Sequence, residues 1–256
     1  MLSDVRLIDL FISARHIMVL TGAGVSAESG VPTFRGAQGG FWGEIDPADI
    51  ATPEGFERDP EMVTRWYDQR RCELVNCFPN AGHLALSAMQ EKALAAGRKF
   101  TVITQNVDGL HQAAGSADVS EIHGSLWNWR CTKCGVEAEE VGPAFETYPP
   151  MCACGGMRRP SVVWFGEPLP EEANSRAKRA ANTCDFFLSL GTSGMVFPAA
   201  KLIDRALRRR VPVVEINLEE TPYSRRVQRS IRGRTGEVLP GLLASVSGAR
   251  AALTSD

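Results

Sequence analysis

An excess of charge is what this 256-residue chain most plainly lacks: 28 Lys and Arg face 30 Asp and Glu, a formal net charge of −2 at pH 7. A surface so evenly balanced offers a polyanion no overall attraction, so nucleic acid is not an expected partner. Long hydrophobic runs are missing too, and no stretch approaches the roughly 20 apolar residues of a membrane span. The first ten residues carry Asp4, Arg6 and Asp9, which leaves no signal-peptide core. A reducing, cytoplasmic compartment and no membrane contact are the expectations that follow; a monomer is only the default, since the sequence does not identify the oligomeric state. The chain is 44% hydrophobic and 23% charged, as suits a folded protein with a real core. Its length allows a main domain with a smaller insert.

Seven cysteines cannot all pair, and four of them cluster. Cys131 and Cys134 form C-x2-C; after seventeen intervening residues Cys152 and Cys154 form C-x-C. Without a secretion signal, that pattern points to metal rather than disulfides. Four thiolates suit tetrahedral zinc and leave no open position for a reactive water, so the ion is expected to be structural, one per chain. Cys72, Cys77 and Cys184 stand in helical or strand-like surroundings and read as core fillers.

Ile17 to Leu20 reads as a buried strand, and Gly22, Gly24 and Ala27 after it fit the G-x-G-x-x-G/A turn from strand into helix around a dinucleotide pyrophosphate. A plain glycine turn is the competing reading. Thr33, Phe34 and Arg35 follow, placing a guanidinium beside any phosphate held there. The Gly-rich passage from Gly36 to Gly43, with Phe41 and Trp42, is a candidate lid or a surface loop. The acidic residue that often follows such a turn by about twenty positions is absent in convincing form, since Glu44 lies in that loop. Asn217 or Glu219 is the better ribose candidate.

Further apolar runs at 100–104, 119–122, 162–165, 186–190 and 213–216 alternate with helical patterns at 59–78, 83–96, 171–182, 198–210 and 236–248. This rhythm spells an α/β, doubly wound parallel sheet. Gln105, Asn106 and Asp108 follow one run directly, where ligands sit in such sheets; an Asn/Asp/Gly turn is the alternative. His123 follows another and is a candidate general base. His83, at a helix start, reads as structural. Tyr67 and Arg70 share a helix face, which by spacing alone is most simply a solvated surface pair.

Together the segments 22–36, 104–111, 121–124, the four cysteines, 162–167 and 191–193 resemble the sirtuins, in that family's order and over nearly the whole chain. The resemblance implies an NAD-dependent protein-lysine deacylase. Its Rossmann-like NAD-binding domain would span 1–40, 79–124 and 161–256, and a smaller zinc-ribbon and helical domain 41–78 and 125–160. It implies that Gly22, Ala23, Gly24, Ala27, Glu28, Thr33, Phe34, Arg35 and Phe41 hold the pyrophosphate and nicotinamide ribose. Gln105, Asn106 and Asp108 would arrange the nicotinamide end. Gly191, Thr192, Ser193, Asn217, Glu219 and Thr235 would hold adenosine, and His123 would be the base. Acylated-lysine proteins or peptides would pair with Val162, Val163, Phe165 and Gly166 as an added strand. In one sirtuin branch a Tyr-x-x-Arg pair and a small alanine line the acyl pocket. Here these are Tyr67, Arg70 and Ala51, which implies succinyl- and malonyl-lysine ahead of acetyl-lysine. Mono-ADP-ribosyl transfer on the same scaffold is the alternative activity.

Overall fold

Every residue of β1 (His16–Thr21) is buried. Its apolar side chains divide by parity: Ile17 and Val19 enter one core, Met18 and Leu20 another. A strand so divided needs a layer on each face. The computed structural model, which describes residues 5–33 and 45–253, supplies both. α1 (Val5–Ser13), α5 (Ala81–Ala95) and α9 (Thr235–Leu253) cover the first face, and α7 (Glu171–Thr183) and α8 (Ala200–Arg208) the second.

The main sheet is six-stranded and parallel. It runs β3 (Val119–Glu121), β2 (Lys99–Thr104), β1, β7 (Phe186–Leu190), β8 (Val213–Asn217), β9 (Arg229–Arg232). This is a Rossmann-like sheet. The order departs in opposite directions from β1 and β7, so their carboxyl ends flank the crevice where such sheets bind ligands.

A separate antiparallel sheet carries the order β5 (Glu137–Glu139), β4 (Gly124–Cys131), β6 (Arg158–Val162). It packs with α2 (Pro47–Ile50), α3 (Pro53–Arg58) and α4 (Pro60–Leu74) around a third cluster containing Phe56, Val63, Tyr67, Trp129 and Trp164. Each of these three helices starts with a capping side chain followed by proline: Asp46-Pro47, Thr52-Pro53 and Asp59-Pro60. The cap oxygen takes an otherwise orphaned N–H, and proline has no N–H to lose.

Two expectations need correction. The run at 162–165 is not a strand of the parallel sheet: β6 ends at Val162, in the antiparallel one. The sixth parallel strand is β9, whose Arg-Ser-Ile-Arg sequence is too polar to stand out because it sits at the sheet edge.

Candidate functional site

The turn after β1 does not open a helix. Ala23–Val25 and Ala27–Ser29 form two successive 3-10 turns, and Gly30 closes the second in the left-handed region, φ 87°. The glycines also have a reason that the motif alone does not supply. Gly22 N–H donates to Leu190 O at 3.0 Å and Gly24 N–H to Gly191 O at 2.9 Å. A Cβ on Gly22 would lie 2.8 Å from Thr192, and one on Gly24 would lie 2.8 Å from Gly191. Backbone packs on backbone across the crevice, and only glycine fits.

The ends of neighbouring strands are stitched together there. Gln105 Nε2 donates to Thr192 Oγ1 at 2.9 Å and to Thr21 O at 3.2 Å. Asn217 Nδ2 donates to Thr192 O at 2.9 Å, while its Oδ1 accepts from Leu218 N–H, so both ends of that ribose candidate have internal partners. Ser193 Oγ accepts from Met195 N–H at 3.3 Å, and Glu219 is exposed. Glu28 accepts from Gly236 N–H at 2.8 Å, where the free amides of a helix N-terminus welcome a carboxylate. That bond draws the start of α9, with Thr235, to the glycine turn. Ala23 and Thr33 are half-buried and Ala27 is exposed. Phe34, Arg35 and Phe41 lie outside the described residues.

Ser26, not singled out from sequence, is the hub of the site. Its hydroxyl oxygen accepts from Asn106 Nδ2 at 3.0 Å, lies 3.4 Å from His83 Nε2, and bonds to Asp108. Burial pushes the Asp108 carboxyl up, and the bonds from Ser26 and Leu110 N–H partly offset it. His111, also missed, places Nε2 2.9 Å from Thr21 Oγ1 and meets the His83 ring edge to face, with centroids 4.9 Å apart. Burial lowers His83 to about 4 and His111 to about 3. His83 completes a capping box with Asn80 at the start of α5, in keeping with a structural role.

His123 follows β3 at the same rim. Its Nδ1 lies 3.0 Å from Gln105 O, an acceptor only, so Nδ1 carries the proton and Nε2 presents the lone pair. Burial lowers its pKa and the bond to Gln105 opposes the shift. Gly124 after it holds φ 78° against Ser161 O, which a Cβ would approach to 1.9 Å.

Two orphaned atoms mark where a ligand fits. Asn106 Oδ1 and Thr235 Oγ1 are buried with no hydrogen-bond partner among the described residues. They sit at the positions expected to meet the amide and adenine ends of a dinucleotide: Asn106 follows β2, beside the glycine turn, and Thr235 opens α9, which Glu28 bonds to that turn. These residues fit NAD.

The four cysteine sulfurs lie within 4.8 Å of one another, with Cys131 to Cys154 at 3.5 Å and Cys134 to Cys152 at 3.8 Å. Tetrahedral zinc with four thiolates at about 2.3 Å asks for sulfurs about 3.8 Å apart. Lys133 and Cys134 N–H point at Cys131 Sγ, at 3.3 and 3.5 Å, which suits a thiolate. The donor set fits zinc.

Ala51 and Tyr67 are buried in the third cluster. Trp164 Nε1 donates to the Tyr67 hydroxyl at 3.0 Å, and burial raises that phenol's pKa. One turn along, Arg70 lies over the Trp66 ring and donates to Glu73 at 2.6 Å, so a carboxylate is among its partners. Next to it, Arg71 is fully buried and pairs with Asp68 at 2.7 Å. It also donates to the carbonyls of Glu140, Gly142 and Pro143. In the segment expected to take a peptide, three successive N–H groups are engaged: Val163 by His123 O, Trp164 by Glu167 and Phe165 by Ala51 O. Val162 is buried, while Phe165 and Gly166 are exposed.

Among the described residues, no helix is long and apolar enough to cross a membrane. The model of the Sir2 family matches residues 22–198. A relative named NAD-dependent protein deacylase 2, from Pyrobaculum aerophilum, is 49% identical over 93% of this chain and 94% of its own length. One named NAD-dependent protein deacylase, from Mycobacterium tuberculosis, is 47% identical over 89% and 96%. A solved complex of a Sir2 homologue with NAD is 42% identical and superposes with a TM-score of 0.89, covering 96% of this chain and 95% of that one. With a family match that spans most of its length and relatives at nearly half identity, the chain belongs to the Sir2 family.

Proposed function

We propose that this protein is an NAD-dependent protein-lysine deacylase that passes an acyl group from lysine to ADP-ribose with release of nicotinamide. The tautomer of His123 carries the reading: a neutral imidazole with Nε2 as its base, fixed by Gln105 O at the rim of the glycine turn. When bound, NAD supplies the electrophilic anomeric carbon from which nicotinamide leaves. Asn106 presents Oδ1 to the nicotinamide end, with its amide plane set by Ser26. His123 Nε2 accepts the proton of the ribose hydroxyl that takes up the acyl group, a general-base role. Thr235 meets the adenine end.

The parallel-sheet domain comprises 1–40, 79–124 and 161–256, and the smaller one 41–78 and 125–160, with β6 crossing the boundary. The acyl-lysine enters between them. Since the N–H groups of Val163 and Phe165 face inward, the peptide donates to this segment's carbonyls rather than accepting from it. The zinc, held by Cys131, Cys134, Cys152 and Cys154, keeps the ribbon folded and takes no part in the chemistry.

At the pocket's end, Tyr67 and Arg70 favour succinyl and malonyl chains over acetyl, with Ala51 leaving room. The ion pair with Glu73 supports this, since an acyl carboxylate of the same chemistry takes that place on Arg70. The test is mass-spectrometric turnover of matched succinyl-, malonyl- and acetyl-lysine peptides with and without NAD. Acyl-ADP-ribose and free lysine should appear only with NAD; ADP-ribose attached to protein would overturn the deacylase reading. Arg70→Met should cut desuccinylation at least about tenfold more than deacetylation, the worth of a charge-assisted hydrogen bond. Equal losses would remove the acyl preference.

A further inference from the structure

Tyr67 is a buried phenol whose oxygen is already used as an acceptor, by Trp164 Nε1–H at 3.0 Å. A phenol has a single proton. With Trp164 donating to the oxygen, that proton has to point elsewhere, and among the described residues no acceptor receives it. A buried donor left this way is costly, so the arrangement anticipates an acceptor that arrives with a ligand. Burial also keeps the phenol protonated, and so a donor, across the working pH range.

The indole that imposes this polarity is itself held firmly. Arg159 stacks on the Trp164 ring with Cζ 3.1 Å from its centroid. Glu167 accepts from Arg159 at 2.7 and 3.0 Å and from the Trp164 backbone N–H at 2.9 Å. Arg159 also donates to Val162 O at 3.0 Å, and Phe56 packs on the indole with centroids 5.4 Å apart. Arg159 is buried, yet none of these bonds reaches the glycine turn, so the cluster does no evident work for the nucleotide.

We propose that Trp164, clamped by Arg159 and Glu167, is a positioning residue that fixes Tyr67 as a hydrogen-bond donor, and so sets the preference for acyl chains ending in an acceptor such as a carboxylate. The inference rests on Tyr67 and Arg70 lining the acyl pocket. Arg70 supplies the charge; Trp164, acting through Tyr67, supplies direction.

The test is a double-mutant cycle on the succinyl-to-acetyl ratio of kcat/KM, with NAD binding and melting temperature followed for every variant. Trp164→Phe keeps the ring and removes the N–H. It should lower the ratio about five- to tenfold, mainly through the KM for succinyl-lysine peptide, as loss of one hydrogen bond implies. In a Tyr67→Phe background the same substitution should change the ratio no further. Should Trp164→Phe fold poorly, Glu167→Gln loosens the clamp with the indole intact, and should lower the ratio in the same direction by a smaller factor. A Tyr67→Phe variant with an unchanged ratio would overturn the acyl-pocket reading and the inference with it. If Tyr67→Phe lowers the ratio but Trp164→Phe does not, or if the two effects simply multiply, the pocket stands and Trp164's positioning role falls.

Discussion

At the scale of single residues, His123 shows how one backbone carbonyl sets a side chain's chemistry. Because Gln105 O accepts a hydrogen bond from Nδ1–H, a single nitrogen is left to act, and burial keeps the ring neutral at a lower pH than a free imidazole. Turnover should fall as pH drops through the lowered pKa, placing the acid limb of kcat/KM below the ordinary 6.5. His123→Ala should lose on the order of 100- to 10,000-fold in turnover while calorimetric titration shows NAD binding retained; full turnover would take His123 out of the mechanism. His123, Asn106 and Gln105 were legible in the sequence because each directly follows an apolar run. Ser26 and His111, which hold the site together, were not. A serine among glycines and a histidine in the one-turn helix α6 (Leu110–Ala113) have no periodic signature, and their importance appears only once β1 and β2 stand side by side.

Among the elements, α5 is anchored at its start by His83 and His111, packed edge to face beneath the crevice. Both have lowered pKa values, so the unfolded chain takes up protons below about pH 6.5 while the folded one does not until about 4 and 3. The stability these neutral rings hold is therefore complete above 6.5 and is lost as pH falls toward 4, by up to about 1.4 kcal/mol per pH unit for each ring. Asp108, raised by burial, works in the opposite sense. Denaturant titrations between pH 7 and 4.5 should show this slope, and His111→Gln should flatten it; an unchanged slope would assign the acid sensitivity elsewhere. Strands buried on both faces were readable as apolar runs, which is why β1, β2, β7 and β8 lie where the sequence places them. The run at 162–165 misled for the same reason. Val162 and Trp164 are buried in the third cluster, so the segment looks like a parallel strand without being one. The glycine motif was legible as a turn but not in its consequence. Gly22 and Gly24 close against the Gly191 turn, a contact about 170 residues away in sequence that no local pattern encodes.

For the whole molecule, the cysteine ribbon is tied twice, once to itself through its sulfurs and once to α4. The sulfurs gather at one end of the ribbon. Arg71 and Asp68 hold the 140–148 segment through three carbonyls, Phe145 N–H and the Tyr148 hydroxyl. A buried ion pair so fully bonded is costly to break by removing one partner. Metal analysis should find about one zinc per chain. Chelation should lower the melting temperature while far-UV circular dichroism of the parallel-sheet domain persists, because that second tie and the two cores around the main sheet remain. Retention of full thermal stability after metal loss would argue against a structural ion. The bond from Glu28 to the Gly236 amide has a consequence for watching the molecule at work. It fastens the first turn of the last helix to the nucleotide loop across 208 residues of chain. Deuterium uptake at that one amide is thus a built-in gauge of the loop's order: it should slow when dinucleotide is added, with no dye or tag placed near the crevice.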